Sequence, residues 1–163
     1  MEKTIIPRPE HPEPMMQREN WQNLNGEWLF HTNPIGSAEK VMIEPFATAP
    51  YTQKIIVPFC PQSKLSGIEN KDFMRSVWYK RSITVTEEQL KGRVLLHFGA
   101  VDYEATVYIN GEKIGNHFGG YSSFEFDITD CVKVGENDLT VNAKDVMENI
   151  PRGKQCHDSY NPY

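Results

Sequence analysis

The sequence contains few cysteines and no long apolar segment. Its three cysteines are Cys60, Cys131 and Cys156. Their odd number and wide spacing argue against a disulfide framework or a zinc site, so we expect reduced thiols in a cytoplasmic protein. No apolar run approaches the roughly 20 residues that span a bilayer. The first residues also lack a basic stretch followed by an apolar one, so no membrane span and no signal peptide is predicted.

Positive charge is scarce as well. The formal net charge is −5, and no basic run exceeds two residues. A nucleic-acid partner is therefore not expected. The pair Gly119-Gly120 does not precede a helical pattern, so it is not a phosphate-binding loop. Three adjacent residues such as Cys156-His157-Asp158 rarely present ligands to one ion, and we expect no metal and no cofactor.

Short segments of alternating polarity fill most of the chain, separated by 11 glycines and 11 prolines. Strands are predicted at 26–31, 53–57, 77–85, 93–98, 103–109, 121–126 and 137–143, with a hairpin return strand after residue 111. Eight or nine short strands without helical alternation predict an antiparallel β-sandwich of the jelly-roll type. Pro7, Pro9, Pro12 and Pro14 predict an extended arm over 1–17, which leaves 18–163 as the domain.

The segment 98–130 contains a β-hairpin pattern, and the rest of the predicted sandwich is arranged around this hairpin. One face of its first strand is apolar, formed by Tyr103, Ala105, Val107 and Ile109. Asn110-Gly111 follows directly and predicts a type I′ turn. This turn would place Val107 opposite Ile114 on the buried face. Gly119-Gly120 would then give the chain freedom to enter its next strand.

Two basic side chains on other strands, Arg81 and His97, have structural interpretations. Arg81 interrupts the apolar face of the strand at 77–85, and we expect it to extend to solvent or to pair with an acidic residue at the sheet edge. His97 points away from its apolar neighbours, which indicates a surface or hydrogen-bonded histidine.

The run VDYEATVYINGEKIGNHFGGYSSFEFDIT at 101–129 resembles the N-terminal sugar-binding domain of family 2 glycoside hydrolases. That family includes β-galactosidases, β-glucuronidases and β-mannosidases. Segments resembling other signatures of the family occur in the same order, at 21–28, 57–67, 78–81 and 151–155. The resemblance covers nearly the whole chain after the first dozen residues. It implies a galactose-binding-domain-like jelly roll and a carbohydrate partner of the β-glycoside class.

Glycoside hydrolysis needs two carboxyl groups that flank the scissile bond, about 5–5.5 Å apart when configuration is retained. No pair in this sequence is convincing, because Glu87-Glu88 suits a solvated turn and Asp127 with Asp130 brackets another. Asp102 is expected to fix a loop. The resemblance implies that both catalytic glutamates lie in a separate (β/α)₈ barrel beyond this chain. The chain alone is therefore expected to be inactive and to have its missing barrel domain as a partner.

The resemblance also implies a sugar contact near residue 158. In related β-galactosidases and β-glucuronidases, an aspartate near the end of this domain reaches the sugar pocket of the barrel. Asp158 is the best match, with His157 and Tyr160 as secondary candidates. A carboxylate there could accept strong hydrogen bonds from sugar hydroxyls. The structural alternative is a loop residue near a chain end. Arg152 and Lys154 are interpreted as charges on an interdomain face.

Aromatic side chains are the other candidates for sugar contact, because an aromatic plane suits the apolar face of a sugar. Strand aromatics are more often core or interface residues. The candidates are Trp78, Tyr79, Tyr103, Tyr108 and Tyr121. Trp78 and Tyr108 lie on the polar faces of their strands, so they are the two of greatest interest.

Two functional classes remain open from the sequence. The first is a scaffold domain of a family 2 glycosidase that packs on the barrel and contributes one loop to the pocket. The second is a stand-alone carbohydrate-binding module with no enzyme activity. Fold alone does not separate the two. A scaffold would expose an apolar patch and could form a homo-oligomer when isolated. A module would expose an aromatic platform or cleft. The sugar itself is not identified by the sequence.

Overall fold

Short antiparallel strands make up most of the chain, and the computed structural model describes residues 6–33, 51–72 and 74–145. The strands are β1 (Gly26–Asn33), β2 (Gln53–Val57), β3 (Ser76–Val85), β4 (Leu95–Phe98), β5 (Glu104–Ile109), β6 (Glu112–Phe118), β7 (Phe124–Asp127) and β8 (Gly135–Lys144). Single-turn 3-10 helices lie at Pro14–Met16, Lys64–Ser66, Gln89–Lys91 and Thr129–Cys131. Across these described ranges, no helix combines the length and apolar character needed to cross a membrane.

Six strands form one sheet in the order β2-β1-β3-β8-β5-β6, and β4 pairs with β7 in a second, two-stranded layer. All of these pairings are antiparallel. The two layers enclose the apolar core, with Leu96 and Ile128 contributed from the smaller layer and its following turn. The architecture confirms the predicted antiparallel β-sandwich.

The inner face of the larger sheet is built by residues that alternate along its strands. In β5 the side chains are alternately buried and half-buried, as expected for a strand with one face in the core. The largest fully buried apolar side chains are Phe30, Ile55, Ile109, Ile128, Leu139 and Val107. Burial of each of them stabilises the fold by roughly 1.5–3 kcal/mol before the entropy cost of ordering.

The β5–β6 hairpin has the predicted turn but not the predicted register. Asn110 has φ +52° and Gly111 has φ +88°, as a type I′ turn requires. A bulge between Val107 and Tyr108 then shifts the pairing, so Val107 lies opposite Gly115. The predicted pairing of Val107 with Ile114 is wrong. Gly115 is required there because a side chain at this position would overlap the ring of Phe126.

The turns at 86–91 and 127–131 are held by side-chain caps. Thr86 and Gln89 form a reciprocal capping box, with the Thr86 N–H donating to Gln89 Oε1 at 2.7 Å and the Gln89 N–H donating to Thr86 Oγ1 at 3.2 Å. Asp127 accepts from the Thr129 N–H at 3.1 Å and from Arg93 at 2.8 Å. Both segments therefore form turns, as predicted from the sequence.

Arg81 connects the sheet to the segment that precedes β1. Its Nη1 donates to the carbonyl oxygens of Leu24 at 2.6 Å and Asn25 at 3.0 Å. The guanidinium carbon also lies 6.0 Å from the centre of the Trp28 ring. Of the two alternatives expected for Arg81, pairing with an acidic residue is therefore wrong, since backbone carbonyls take the place of the acid. Burial lowers the pKa of Arg81.

The N-terminal arm is attached to the segment before β1 through two asparagines. Asn23 Nδ2 donates to the Arg8 carbonyl at 3.1 Å, and Asn25 Nδ2 donates to the Pro7 carbonyl at 3.2 Å. The rings of His11 and Trp21 lie 4.6 Å apart. The domain boundary predicted at residue 17 stays a prediction.

Candidate functional site

The residues near the end of the chain that are predicted to contact sugar lie outside the described part. They are Asp158, His157 and Tyr160, together with the neighbouring charges Arg152 and Lys154. The metal interpretation of Cys156-His157-Asp158 also falls there. The structure follows the chain as far as Asp145, whose N–H donates to the Arg75 carbonyl at 3.0 Å. The role of Asp158 therefore stays a prediction.

The outer face of the six-stranded sheet does not offer Trp78 to a sugar. Trp78 lies on the polar side of β3 as predicted, yet only 2% of it is exposed. Its ring is tilted against that of Tyr108, with centroids 6.1 Å apart. Tyr108 is half-buried, and its burial raises the pKa of the phenol. The interpretation of Trp78 as an accessible stacking residue is therefore wrong.

Polar side chains are buried beside Trp78. Asn142 Nδ2 donates to Ser76 Oγ at 2.7 Å and to the Val77 carbonyl at 3.0 Å. Burial raises the pKa of Tyr51 to about 12, and the Tyr51 hydroxyl has no hydrogen-bond partner among the described residues. Because Asn142 and Ser76 are buried and bonded to each other, this part of the sheet face has a structural role.

Exposed aromatic side chains instead lie at one end of the sandwich. Tyr103 is 37% exposed, Phe118 is 54% exposed and Tyr121 is fully exposed. We call these three residues the aromatic loop surface. The rings of Tyr103 and Phe118 form an edge-to-face pair with centroids 6.4 Å apart. The alternation in β5 predicted Tyr103 on the buried face, but the strand begins at Glu104 and Tyr103 lies outside its pleat.

A stack of rings supports the loop that carries Tyr121. His117 stacks on Phe124 with centroids 4.2 Å apart, and Phe124 stacks on Phe98 at 4.7 Å. His117 Nε2 also lies 3.0 Å from Ser122 Oγ, within hydrogen-bonding distance. The loop is therefore joined on both sides of Tyr121 to side chains that reach the core.

Two glycines bring this loop against the preceding one. The Gly119 N–H donates to the Tyr103 carbonyl at 2.9 Å, and Gly119 has φ +125°, a conformation that favours glycine. A Cβ at Gly120 would lie 2.5 Å from Asp102 Oδ1. The sequence indicated conformational freedom at this pair. The structure adds a close approach between the loops, at Asp102 and Gly120. The expected role of Asp102 in fixing its loop stays a prediction.

Several of the described acidic side chains form ion pairs at the surface. Their partners are basic residues, in the pairs Glu27–Lys54, Lys80–Asp138, Glu88–Lys91, Arg93–Asp127 and His97–Glu125. The His97 pair confirms the surface histidine. Over the described ranges, no group of three or more His, Cys, Asp or Glu side chains is arranged to hold a metal ion. The described part of the chain thus offers groups that can contact a ligand, namely planar aromatic rings with hydroxyl and carboxyl groups beside them.

Sequence reasoning missed Phe118 as part of this surface. Phe118 ends β6 on the polar side of an edge strand, directly before Gly119-Gly120. The sequence signal for Phe118 was a large aromatic residue on the polar face of its strand. This signal indicates an exposed ring only if the strand lies at the edge of the sheet, and the edge position of β6 is known only from the order of the whole sheet.

Comparisons with known proteins agree on one family. The family model described as "Glycosyl hydrolase 2 galactose-binding domain-like" matches residues 59–162. A putative β-glucuronidase from Formosa agariphila is 37% identical over 121 residues, which cover 74% of this chain and 14% of that protein. A β-galactosidase from Thermoanaerobacter pseudethanolicus is 32% identical over 117 residues, covering 69% of this chain and 15% of the relative.

Solved structures of β-glucuronidases contain a similar fold. A β-glucuronidase from an uncultured Clostridium species matches with a TM-score of 0.69 and 30% identity, over 78% of this chain and 22% of that one. The Bifidobacterium dentium β-glucuronidase complexed with coumarin-3-O-glucuronide matches with a TM-score of 0.62 and 32% identity, over 74% and 19%. This chain therefore spans less than a quarter of the length of each of these four proteins. The matched family and the sandwich together show that this chain belongs to the galactose-binding domain-like family of glycosyl hydrolases 2.

Proposed function

We propose that this chain is the N-terminal sugar-binding and scaffold domain of a retaining β-glycosidase of family 2, acting on β-glucuronides. One observation carries the proposal. The chain is similar to β-glucuronidases over 74–78% of its own length while it spans only 14–22% of theirs. A domain of this size would support a catalytic barrel, for which about 250 further residues are usual.

The chemistry of the described residues fits a supporting role. Retaining hydrolysis needs an acid and a nucleophile on opposite sides of the glycosidic bond. Here several of the described carboxylates pair with basic side chains at the surface, as Glu88 does with Lys91 at 2.6 Å, and no two of them were predicted as a catalytic pair. Asp127 is committed to the cap of the following turn. The catalytic pair is therefore assigned to the barrel, and the chain alone is proposed to be inactive.

Asp158 is proposed to be the contribution of this domain to the sugar pocket. An ionised carboxylate accepts hydrogen bonds from sugar hydroxyls, and such bonds are stronger than those between neutral groups. His157 and Tyr160 would flank it in the same loop. The role of Asp158 would be to orient the sugar, while the barrel would perform the bond cleavage.

The test compares two proteins made from the same gene. One is the product of the natural reading frame that contains this sequence, and the other is the 163-residue chain alone. Both are assayed with p-nitrophenyl β-D-glucuronide and β-D-galactoside. We expect the longer protein to hydrolyse the glucuronide with retention and the chain alone to hydrolyse neither substrate.

Variants of the longer protein then test the role of Asp158. Asp158→Ala should lower kcat/KM roughly tenfold to hundredfold, as expected for a lost charge-assisted hydrogen bond. The matched control Asp130→Ala, at an exposed carboxyl in the described turn, should leave the activity unchanged. Hydrolysis by the chain alone, or inactivity of the longer protein toward the glucuronide, would overturn the proposal. An Asp158→Ala protein with full activity would remove Asp158 from the pocket.

A further inference from the structure

We propose that Asn25-Gly26 is a deamidation site, at which the Asn25 side chain loses its amide as ammonia and thereby releases the N-terminal arm from the segment before β1. The chain contains two Asn-Gly pairs, at 25–26 and at 110–111. A glycine after asparagine leaves the backbone nitrogen open to attack the side-chain amide, because no Cβ shields it. The structure places the two pairs in different surroundings, and these favour reaction at the first.

The reaction consumes water and releases ammonia. The Gly26 nitrogen loses its proton to solvent and forms a bond to Asn25 Cγ. The bond from Cγ to Nδ2 breaks, and Nδ2 takes up a proton and leaves as ammonia. Water then opens the cyclic imide at one of its two carbonyls. One direction of opening gives aspartate, and the other gives isoaspartate, whose backbone passes through Cγ.

Exposure alone would favour the other pair, since Asn110 and Gly111 are both exposed in the hairpin turn. The Asn110 amide is nevertheless fixed at both of its ends. Its Nδ2 donates to Asn137 Oδ1 at 2.9 Å and to the Cys131 carbonyl at 3.2 Å. Its Oδ1 accepts from the Asp138 N–H at 3.0 Å. The Asn110 side chain must break these bonds to β8 and the preceding turn before it can rotate toward the Gly111 nitrogen, so the folded state protects it.

The hydrogen bonds of the Asn25 amide lead to the N-terminal arm. Asn25 Nδ2 donates to the carbonyl oxygens of Pro7 and Arg8, each at 3.2 Å. The arm lies at the surface, since residues 8–10 and 12–20 are exposed. It can therefore lift away from Asn25 without opening the apolar core. Such local opening costs less free energy than an opening that breaks the bonds between Asn110 and β8.

Arg81 assists the reaction at the same peptide unit. Removal of the Gly26 proton places negative charge on the Asn25 carbonyl oxygen, because the peptide unit is conjugated. Arg81 Nη1 donates to this oxygen at 3.0 Å. A hydrogen bond from a cation to a charged oxygen is stronger than one between neutral groups, so Arg81 stabilises the attacking anion.

Conversion of Asn25 removes the bonds that hold the arm. The new carboxylate faces the Pro7 and Arg8 carbonyl oxygens, and it accepts hydrogen bonds as they do, so both bonds are lost. The bond from Asn23 Nδ2 to the Arg8 carbonyl is exposed and contributes little by itself. Isoaspartate also lengthens the backbone directly before β1. The modified chain is therefore a form with a detached arm, which accumulates with time and needs no enzyme.

The test is a timed incubation of the 163-residue chain at mildly alkaline pH, both folded and in urea, followed by peptide mapping with mass spectrometry. In the folded chain we expect Asn25 to convert roughly tenfold faster than Asn110, and in urea the two rates should become similar. Detachment of the arm is followed by chymotrypsin cleavage after Trp21, whose ring lies 4.6 Å from that of His11. This cleavage should become faster in step with the conversion of Asn25.

Variants separate the chemistry from the detachment. Asn25→Gln keeps a side-chain amide but forms the cyclic imide far more slowly, so its cleavage rate should not rise during incubation. Asn25→Asp carries one of the products from the start and should be cleaved rapidly without incubation. The matched control is Asn20→Gln, at an exposed asparagine followed by Trp21, and it should change with time as the parent chain does.

Faster conversion at Asn110 in the folded chain, or equal rates at the two pairs, would overturn the proposal. It would also be overturned if Asn25 stayed intact in the folded chain over a period in which it converts in urea. Conversion at Asn25 without a change in cleavage after Trp21 would refute the release of the arm. None of these measurements involves a glycoside, so the proposal is independent of the glycosidase function proposed above.

Discussion

Tyr79 places a phenol hydroxyl in an environment that strongly favours its neutral form. The ring lies 5.2 Å from that of Phe30 in an edge-to-face pair within the sandwich. Burial raises the pKa of Tyr79 to about 12, and the nearby Cys60 adds to the shift. An ordinary tyrosine titrates near pH 10. The unfolded chain therefore releases this proton about two pH units before the folded chain does.

The alkaline stability of the domain should depend on Tyr79. The contribution of Tyr79 to the free energy of unfolding is fully present below pH 10. It is lost as the pH rises from 10 to 12, because only the unfolded state ionises in that window. The loss is about 2–3 kcal/mol for a shift of two units. Tyr79→Phe keeps the ring and should flatten this part of the profile, measured by urea unfolding at pH 9 to 12. Tyr121→Phe, at a fully exposed ring, is the control and should follow the parent profile.

Asp127 should contribute to the loss of folding stability at acidic pH. Hydrogen bonds from Thr129, followed by Arg93, lower the pKa of Asp127 to about 2. A depressed pKa means that the stabilisation is present above about pH 4 and is lost as the pH falls through 2. Asp127→Asn should therefore be less stable than the parent at pH 7, and the difference should shrink toward pH 2. Asp130→Asn, in the same turn, should show no such convergence in acid unfolding monitored by circular dichroism.

The environments of single residues were only partly predictable from sequence. The type I′ conformation of Asn110 follows from local chemistry, because Asn and Gly tolerate positive φ. The burial of Trp78 does not follow from alternation, which correctly placed it on the polar side of β3. That pattern tells which face a residue occupies but not whether the face is covered. For Arg81, its position on an apolar face predicted either extension to solvent or an acidic partner, whereas the fold supplied two carbonyls that no local pattern reveals.

At the scale of elements, the β5–β6 hairpin is adjusted to the strand that packs on it. The bulge after Val107 brings Gly115 under the ring of Phe126 in β7. A two-residue turn predicts a register from residue counting alone, but it does not predict a bulge. The bulge coincides with this contact to the second layer, whose strands β4 and β7 are separated in sequence.

Gly115→Ala should destabilise the domain by roughly 1–3 kcal/mol, because the added methyl group overlaps the Phe126 ring and forces repacking. The measurement is urea unfolding at neutral pH. Gly92→Ala is a matched control, since Gly92 has φ −122° and a Cβ there would meet its nearest atom only at 4.0 Å. Its effect should stay within about 0.5 kcal/mol. Phe126→Leu combined with Gly115→Ala should recover part of the loss, and a strictly additive double variant would refute the overlap as the cause.

The hairpin turn also anchors the strand beside it. Asn110 Nδ2 donates to Asn137 Oδ1 at 2.9 Å, and the Asp138 N–H donates to Asn110 Oδ1 at 3.0 Å. Asn137 is buried and bonds further to the Lys133 carbonyl at 2.8 Å. The turn pattern predicted that Asn110 lies in the turn, but it did not predict the hydrogen bonds of Asn110 with Asn137 and Asp138. Asparagine is favoured over other turn residues here because its amide both donates and accepts.

At the scale of the molecule, the sandwich was predictable because strand periodicity and turn residues are repeated along the whole chain. The aromatic loop surface was not, since its members come from the start of β5, the end of β6 and a loop. Their proximity depends on the antiparallel order of the sheet and on ring stacking behind it. The candidate functional surface thus depends on tertiary structure and not on local sequence patterns. For this reason Phe118 was missed, and Tyr103 and Tyr121 were named as separate candidates and not as parts of one surface.

Arg81 is the residue through which the segment before β1 should be coupled to global stability. The Leu24 carbonyl accepts from Arg81 at 2.6 Å and from Trp28 Nε1 at 2.8 Å, so the guanidinium holds this segment against the first strand. Removing the charge leaves part-buried carbonyls without a strong donor. Arg81→Met should therefore cost about 2–3 kcal/mol in the free energy of unfolding. It should also speed proteolytic cleavage of the segment that precedes residue 26.

The control for Arg81 is a lysine whose ion pair is exposed. Lys54 pairs with Glu27 at 2.7 Å, and both side chains are more than half exposed. Exposed pairs contribute about 0–1 kcal/mol, so Lys54→Met should have little effect on unfolding and none on cleavage before residue 26. Arg81→Lys keeps the charge but presents it as a single ammonium group, and it should fall between the parent and Arg81→Met. Equal stabilities of Arg81→Met and Lys54→Met would mean that the Leu24 and Asn25 carbonyls do not depend on the guanidinium. In that case the bond from Trp28 Nε1 to the Leu24 carbonyl would hold the segment against β1 instead.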